Sequence, residues 1–170
     1  MPQYLDANHQ PTAILIRPIE PRDDAALARR LNEKLADGRS GADPTLDHPP
    51  LSQIYAAPRC AYFVLERDSL VVGGAGISPL DCDFAHIAEL QRFVLLPMCG
   101  QRGHARRLLD HCLDSAGAIG FRACYAESNS VESETNDLLR VAGFQRLGKP
   151  LRDPTNLGCD TYHFLTLGVR

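Results

Sequence analysis

The stretch from Ala88 to Leu113 constrains the fold more than any other part of this 170-residue chain. It contains an apolar run, Phe93 to Leu96, that is long enough for a buried strand. Pro97 ends the run, because proline has no N–H to donate to a sheet ladder. After a short turn-like segment, apolar residues recur at the spacing of one helix face, at Leu108, Leu109, Cys112, Leu113 and Ala116. The stretch therefore predicts a strand, a tight loop and a helix in close succession.

The loop in this stretch has the composition of an anion site. Gly100 and Gly103 let the backbone approach a ligand closely, and Ala105 is nearly as small. The first amides of a helix have no partner within the helix and point toward such a loop. Positive charge at the same end comes from Arg102, Arg106 and Arg107. We predict a phosphate or pyrophosphate site here, although an ordinary strand–helix turn can use the same small residues for close packing.

The segment from Leu95 to Leu109 reads L-L-P-M-C-G-Q-R-G-H-A-R-R-L-L and resembles the acyl-CoA signature of the GNAT superfamily of N-acyltransferases. In that signature a strand is followed by Gln/Arg-x-x-Gly-x-Gly/Ala and then by a helix. Gly103 and Ala105 match its last two positions, whereas Gly100 stands where the family prefers Gln or Arg. The resemblance implies acetyl-CoA as co-substrate. Its binding residues would be Phe93, Val94 and Leu95 on the strand, through main-chain groups, and Gln101, Arg102, Gly103, His104, Ala105 and Arg106 in the loop and helix.

The other predicted elements follow the order of the same family. Strands are predicted at 13–17, 62–67, 70–77, 86–96, 121–127, 144–147 and 161–167. Helices are predicted after the first, fourth and fifth strands, with a further short helix around Leu51 to Tyr55. The strand–helix–strand unit in the middle implies a parallel, right-handed crossover.

The resemblance implies an α/β (α+β) fold made of a single GNAT-type domain at 13–170, after a loose tail at 1–12. Its central sheet is expected to be mixed and mostly antiparallel, with helices on both faces. Its central pair of strands is expected to be parallel and splayed, because in this family the pantetheine arm of the cofactor inserts between them.

Gly73, Gly74 and Gly76 suggest a glycine-rich nucleotide loop, but the pattern around them is that of a strand and no helix follows. Glycine inside a strand indicates a bulge or a close approach of other groups to the backbone. We therefore expect close packing at these positions.

Transfer of an acyl group from a thioester to an amine requires a base for the amine and stabilisation of the oxyanion. Glu89, on the central strand, and Glu127, at the end of the next parallel strand, are the candidate bases. A glutamate among apolar neighbours has its pKa raised toward neutrality, as such a base requires. The structural alternative is an ordinary ion pair with Arg92 or Arg122.

The general acid is missing from its usual place. Leu139 stands where many family members carry a tyrosine, and Glu132 replaces an asparagine that often holds the pantetheine. Tyr125, Tyr162 and His163 are substitute candidates, with core packing as the alternative role for Tyr125. A thiol with a pKa of about 8.5 can also leave as thiolate without an acid.

The bulk composition excludes several classes of partner. A net charge of −3 does not favour nucleic acid or an anionic membrane, and no apolar run approaches the length of a membrane span. The N-terminal residues lack a signal-peptide pattern, so a cytoplasmic protein is expected.

The six cysteines form no Cys-x-x-Cys pair. His104, His111 and Cys112 do not make a compact ligand set, so no metal is expected.

These observations predict an N-acetyltransferase that moves an acetyl group directly from acetyl-CoA to the amine of a small molecule. Acetylation of a protein or peptide is the alternative within the same enzyme class. A non-catalytic acyl-CoA-binding regulatory module and an unrelated phosphate-binding domain are alternatives from other classes. Many relatives pair as dimers, so a homodimer is a further expectation, although the sequence identifies no interface.

Overall fold

The computed structural model describes residues 14–34, 49–81, 83–96, 102–153 and 159–168, with the main chain alone at positions 30, 32–34 and 102. The predicted tail at 1–12 and much of the proline-containing segment at 38–58 lie outside the described residues.

The described elements occur in the predicted order. The strands are β1 Ile14–Pro18, β2 Ala61–Arg67, β3 Leu70–Pro79, β4 Ile87–Leu95, β5 Ala123–Ser128, β6 Gln145–Leu147 and β7 Thr161–Thr166. The helices are α1 Asp24–Lys34, α2 Leu51–Ile54, α3 Arg102–Ile119 and α4 Ser133–Val141, with a 3-10 turn at Pro21–Asp23 before α1. Among these described helices, none is long and apolar enough to cross a membrane.

Local sequence explains two of the sharpest turns. Asp68 and Ser69, between β2 and β3, both have positive φ, at 48° and 66°. Two consecutive residues of this kind suit the right-handed twist of a tight hairpin. Gly143, with φ of 98°, ends α4 and sends the chain into β6. Both turns were predicted from the residues that occupy them.

The described strands form one seven-stranded sheet in the order β1-β2-β3-β4-β5-β7-β6. Within it, β4 and β5 are parallel, and the other adjacent pairs are antiparallel. The helix α3 connects the two parallel strands, as the sequence predicted. The mixed, mostly antiparallel sheet is therefore confirmed.

The parallel pair opens partway along its length. Its register runs from Ile87 opposite Ala123 to Leu90 opposite Ala126 and ends there. Beyond that point β4 continues to Leu95 against β3, while the end of β5 pairs with β7. The predicted splayed pair is present.

A bulge in β4 coincides with this opening. Gly76 of β3 is opposite Gln91, but Gly74 is opposite Val94, so β4 carries one extra residue between them. Arg92, within this extra length, has a φ of 49°, which is unusual for a residue with a side chain. The bulge therefore changes which β4 side chains face each side of the sheet just where β5 leaves.

Helices cover both faces of the sheet, as predicted. On one face α1 and α2 pack in a buried cluster made of Leu27, Leu51, Tyr55, Tyr62, Val64 and Val94. On the other face α3 and α4 contribute Leu108, Leu109, Cys112, Ala116 and Leu139 to a core with β2, β3, β4 and β5. Burial of these two apolar surfaces holds β4 and β5 between two layers of helices.

The strand glycines make the close contacts expected of them. A Cβ atom on Gly76 would lie 2.4 Å from the ring of Tyr55, and one on Gly74 would lie 2.5 Å from the ring of Tyr62. These distances are too short for any side chain. The glycines of β3 thus let the rings of Tyr55 and Tyr62 approach the backbone of this strand closely.

Candidate active site

Glu89 lies on β4 just before the strands part, and it is only 4% exposed. Gln91 donates from Nε2 to its Oε2 at 2.6 Å, and Arg152 donates from Nη2 to its Oε1. Burial raises the pKa of Glu89 above its ordinary value, while the positive charge of Arg152 opposes the rise. The result is a buried carboxylate with a raised pKa.

The hydrogen bonds of Glu89 extend to α2. The Tyr55 hydroxyl donates to Gln91 Oε1 at 2.9 Å, and Gln91 in turn holds Glu89. Burial keeps the pKa of the Tyr55 hydroxyl well above its usual range, so Tyr55 remains a proton donor. Tyr55, which directly follows α2, therefore orients the Gln91 amide that donates to Glu89.

The ionic partner of Glu89 is one that sequence reasoning missed. The expected structural alternatives were Arg92 and Arg122, but the ion pair is with Arg152, 63 residues further along the chain. Arg152 lies in the irregular segment after β6. No periodicity or motif marks that segment, so the sequence offered no signal for this contact.

Glu127 lies on β5 beyond the last residue that pairs with β4. The Tyr125 hydroxyl donates to its Oε1 at 3.1 Å, as expected for two residues that share a strand face. Burial, and next the charge of Glu127, keep the pKa of Tyr125 above its usual range. The other oxygen, Oε2, is buried and has no hydrogen-bond partner among the described residues.

Two further buried side-chain atoms in the described part of the chain lack a hydrogen-bond partner. They are Arg152 Nε and Arg92 Nη1. The guanidinium of Arg92 lies 5.9 Å from the centre of the Tyr55 ring, within cation–π range. The unpaired atoms therefore belong to two cations and one anion, all near the Glu89 network.

The residues predicted to bind acetyl-CoA fall in two groups. Phe93, Val94 and Leu95 lie on β4 past the point where its register with β5 ends. Gly103 is exposed in the first turn of α3, and Ala105 is half-buried one residue past His104. Gln101 and the side chain of Arg102 lie outside the described residues.

Two of the predicted loop residues have contacts that limit their roles. His104 is 4% exposed, and burial lowers its pKa, so it is a neutral side chain near pH 7. Arg106 contacts Asp110 at 2.8 Å and donates to the carbonyl oxygen of Val141 at 3.2 Å. Its guanidinium is thus held between α3 and the C-terminal end of α4.

Leu139, which stands where the family often has a tyrosine, is buried in the core. The three side chains predicted as substitute acids occupy different environments. The Tyr162 hydroxyl donates to the Cys159 carbonyl at 3.4 Å. His163 lies 2.9 Å from the Ser128 hydroxyl and 3.0 Å from Asn136 Oδ1, and burial lowers its pKa. Of the three predicted candidates, Tyr125 is the one in direct contact with a candidate base.

Two residues of the metal alternative have ordinary packing roles in the structure. Cys112 is fully buried in the core, and the His111 ring packs edge-on against Phe63 at 4.5 Å. Among the described residues, no group of three or more His, Cys, Asp or Glu side chains is arranged to hold a metal ion.

The sequence model of the acetyltransferase (GNAT) family matches residues 28–144, which include β2 to β5, the opening and both candidate carboxylates. This match covers more than half of the chain. The chain belongs to the GNAT acetyltransferase family. It is an N-acetyltransferase, so the alternatives of a binding module without catalysis and of an unrelated phosphate-binding domain are not supported.

Individual relatives of this GNAT chain agree with the family match. It is 32% identical over 160 residues to the uncharacterized N-acetyltransferase YjgM of Escherichia coli K12, covering 90% of this chain and 95% of YjgM. Its fold is similar to that of yncA, a candidate acetyltransferase from Salmonella typhimurium solved with its cofactor acetyl-CoA. The TM-score with yncA is 0.78 at 21% identity, over 92% of this chain and 95% of that one.

A GCN5-related N-acetyltransferase from Kribbella flavida is a further structural neighbour of this GNAT chain. Its TM-score is 0.72 at 25% identity, and the alignment covers 89% of this chain and 95% of the neighbour. Both structural neighbours are thus similar over nearly the whole domain, including the sheet that carries the opening.

Proposed function

We propose that this protein transfers an acetyl group from acetyl-CoA to the primary amine of a small molecule, with Glu89 and Glu127 at the reaction centre. One observation carries the proposal: β4 and β5 part after Leu90 and Ala126, and the two carboxylates flank that point. An opening between two strands admits a narrow, extended chain such as pantetheine. A base beside the opening meets the thioester at the end of that chain.

The cofactor would be bound mainly by main-chain groups. The pantetheine would lie along Phe93, Val94 and Leu95, and the diphosphate would lie at the first turn of α3 near Gly103 and Ala105. Helix N-termini bind phosphate well because their free amides and dipole favour negative charge. The resemblance of the fold to yncA, solved with acetyl-CoA, supports this placement.

The reaction balances with the groups at the site. The acceptor ammonium loses one proton to a carboxylate, and its nitrogen lone pair attacks the thioester carbonyl carbon. The tetrahedral intermediate collapses as the C–S bond breaks, and the thiolate takes up a proton. A second amine proton is lost as the amide forms, so the products are the N-acetylated amine, CoA and one released proton.

The two carboxylates suit different parts of this sequence. Glu127 has a buried oxygen without a hydrogen-bond partner in the part of the chain that the structure describes, and this oxygen would hold the acceptor ammonium. Glu89 has a raised pKa but both oxygens are occupied by Gln91 and Arg152, so it would receive the proton through a water molecule. Tyr125, which keeps its proton, is placed next to Glu127 and could return a proton to the thiolate.

Thiol release from acetyl-CoA is the direct test. We expect amine-dependent thiol release with members of a panel of small primary amines, and a mass increase of one acetyl group on the acceptor. Peptides with a free N-terminal amine or a lysine belong in the same panel. Turnover restricted to peptides would replace the small-molecule acceptor by a protein, and absence of turnover with every amine would refute the proposal.

A further inference from the structure

The candidate site contains unpaired donors for an anion as well as an unpaired acceptor for a cation. Arg152 Nε and Arg92 Nη1 are buried donors, and Glu127 Oε2 is a buried acceptor, all without partners among the described residues. A buried polar atom without a hydrogen bond is costly, so three such atoms around one network indicate groups that a ligand satisfies. An uncharged or purely cationic amine would satisfy only Glu127.

Arg152 is well placed to act together with Glu127. Its neighbour in sequence, Leu151, packs in the cluster that contains Tyr125, and Tyr125 is hydrogen-bonded to Glu127. Arg152 itself reaches Glu89 through Nη2, which fixes the guanidinium and leaves Nε for another partner. The side chain is only 17% exposed, so that partner has little competition from solvent.

The charges around the site favour a zwitterion. Glu89, Glu127, Arg92 and Arg152 carry formal charges that sum to zero. A molecule with one ammonium and one carboxylate adds no net charge to this buried group, and it can pair with both signs at once. Burial of an unpaired charge is costly, so pairing of each ligand charge with an opposite charge of the protein matters more here than at an exposed surface.

We propose that the acceptor is a small amine that carries a carboxylate, with its amine held at Glu127 Oε2 and its carboxylate at Arg152 Nε. The proposal rests on the acetyltransferase function proposed above. Arginine suits this role because its planar guanidinium stays charged and binds carboxylates with defined geometry. Arg92 Nη1 is a second buried donor on the Tyr55 side of the same network.

The experiment compares each amino acid with its own amide. Acetyl transfer is measured as kcat/KM for α-, β- and γ-amino acids and for the corresponding carboxamides, which keep the amine and lose the negative charge. We expect at least one amino acid to exceed its amide by roughly tenfold or more, the size of a lost hydrogen bond to a charged group. The preferred spacing between amine and carboxylate reports the distance between the two binding groups.

Two variants of Arg152 and one control separate anion binding from support of Glu89. In Arg152→Gln the ratio of acid to amide should fall close to one, and in Arg152→Lys it should fall partway. A purely structural effect on Glu89 lowers both rates together and leaves the ratio unchanged. Arg140→Gln, at an exposed arginine on α4, should keep the wild-type ratio. Comparing one ratio between variants also cancels the difference in amine pKa between acid and amide.

Failure of this inference is distinguishable from failure of the proposed function. Turnover of amines with equal rates for acids and amides, or a preference that survives Arg152→Gln, overturns the acceptor class and leaves the acetyltransferase intact. If no amine is acetylated, calorimetry measures the binding of the same acids and amides to the CoA-loaded protein, and this comparison tests the inference. Acid-selective binding that depends on Arg152 supports the inference, and equal or absent binding overturns it.

Discussion

Glu89 combines near-complete burial with a fixed hydrogen-bond environment. Its two oxygens are held by Gln91 and Arg152, which come from different parts of the chain. Burial raises the pKa of this carboxyl, and the two donors restrain the rise. A raised pKa makes this carboxylate a stronger proton acceptor, as the proposed role of general base requires.

Replacement of Glu89 by glutamine tests this role. We expect kcat/KM to fall by about 10²–10⁴-fold, the usual contribution of a general base. In the wild type kcat/KM should fall as pH decreases, because protonation removes the base. Since burial raises the pKa, this fall should occur above the ordinary glutamate range near 4.3. The pH profile of the residual activity of Glu89→Gln should lack this fall at acid pH.

The control for this variant is Glu134→Gln, at an exposed position in the first turn of α4. It removes the same charge from the protein surface and should leave both the rate and the pH profile unchanged. A wild-type acid limb in Glu89→Gln would show that another group, with Glu127 the first to examine, is the titrating base.

At the scale of elements, β3 matters because its glycines allow α2 to lie close to the sheet. Gly76 lies directly beneath the ring of Tyr55, and Tyr55 holds Gln91. The packing of α2 on β3 is therefore linked to the orientation of Glu89. A change in this packing should affect both stability and catalysis.

Substitution of Gly76 by alanine tests the link. The new methyl group would lie 2.4 Å from the Tyr55 ring, so the ring must move. We expect a loss of about 1–3 kcal/mol in the free energy of unfolding, typical of overpacking, measured by urea denaturation. Gly117→Ala in α3 is the matched control, because no atom of the described residues lies within 4 Å of its new Cβ. It should be neutral or stabilising by about 0.5–1 kcal/mol. Equal effects of the two substitutions would contradict the close approach.

An ion-pair network joins β1, the 3-10 turn and β2. Arg17 of β1 contacts Asp23 of the 3-10 turn at 2.7 Å and Glu66 of β2 at 2.8 Å. Arg17→Met leaves the buried carboxylate of Asp23 without its ionic partner, while the Glu20 N–H still donates to it. We expect a loss of about 3–5 kcal/mol in the free energy of unfolding. Arg22→Met, which removes an exposed ion pair with Glu20, should change it by less than about 1 kcal/mol.

The same network predicts how stability depends on pH. Its hydrogen bond to Arg17 lowers the pKa of Asp23. A lowered pKa stabilises the folded state above the ordinary aspartate value, and this contribution is lost as pH falls from about 4 through the folded value. Unfolding measured between about pH 2 and 5 should show a smaller acid-dependent loss in Arg17→Met than in the wild type. If the free energy of unfolding depends on pH with the same slope in Arg17→Met and in the wild type, Asp23 is excluded as the source of the acid-dependent loss.

At the scale of the whole molecule, β4 and β5 part after Leu90 and Ala126, and the proposed acetyl-CoA would fill the opening between them. Acetyl-CoA that bridges the two strands should stabilise the folded domain. At a hundredfold excess over Kd the gain is about 2.7 kcal/mol. For a domain of this size that corresponds to a rise in Tm of roughly 5–10 °C.

Thermal unfolding with acetyl-CoA and with simple adenine nucleotides measures this gain and its specificity. Acetyl-CoA should raise Tm much more than ATP or ADP, because only acetyl-CoA carries the pantetheine that fills the opening between the strands. Equal shifts for all of these ligands would indicate a phosphate site without a pantetheine channel and would contradict the proposed cofactor placement.

Much of the fold was predictable because it depends on local patterns. Alternation and apolar runs predicted the strands, and Asp68-Ser69 and Gly143 predicted two turns that the structure confirms. The strand–loop–helix stretch and the family resemblance predicted where β4 and β5 part. Of the candidate site, the sequence predicted the location of the two candidate carboxylates beside the opening, since both lie on regular strands; their catalytic role stays a prediction.

The sequence by itself determined the order of elements, the family and the position of Glu89 and Glu127 along the sheet, because each of these depends on neighbouring residues. Only the tertiary structure decided that Arg152 pairs with Glu89, that Tyr55 orients Gln91, and that Arg92 lies in a bulge. The physical reason is that these contacts join residues far apart in the chain, through loops and a backbone irregularity that have no periodic pattern. The charge balance of the site, and with it the acceptor that we infer, follows from those distant contacts.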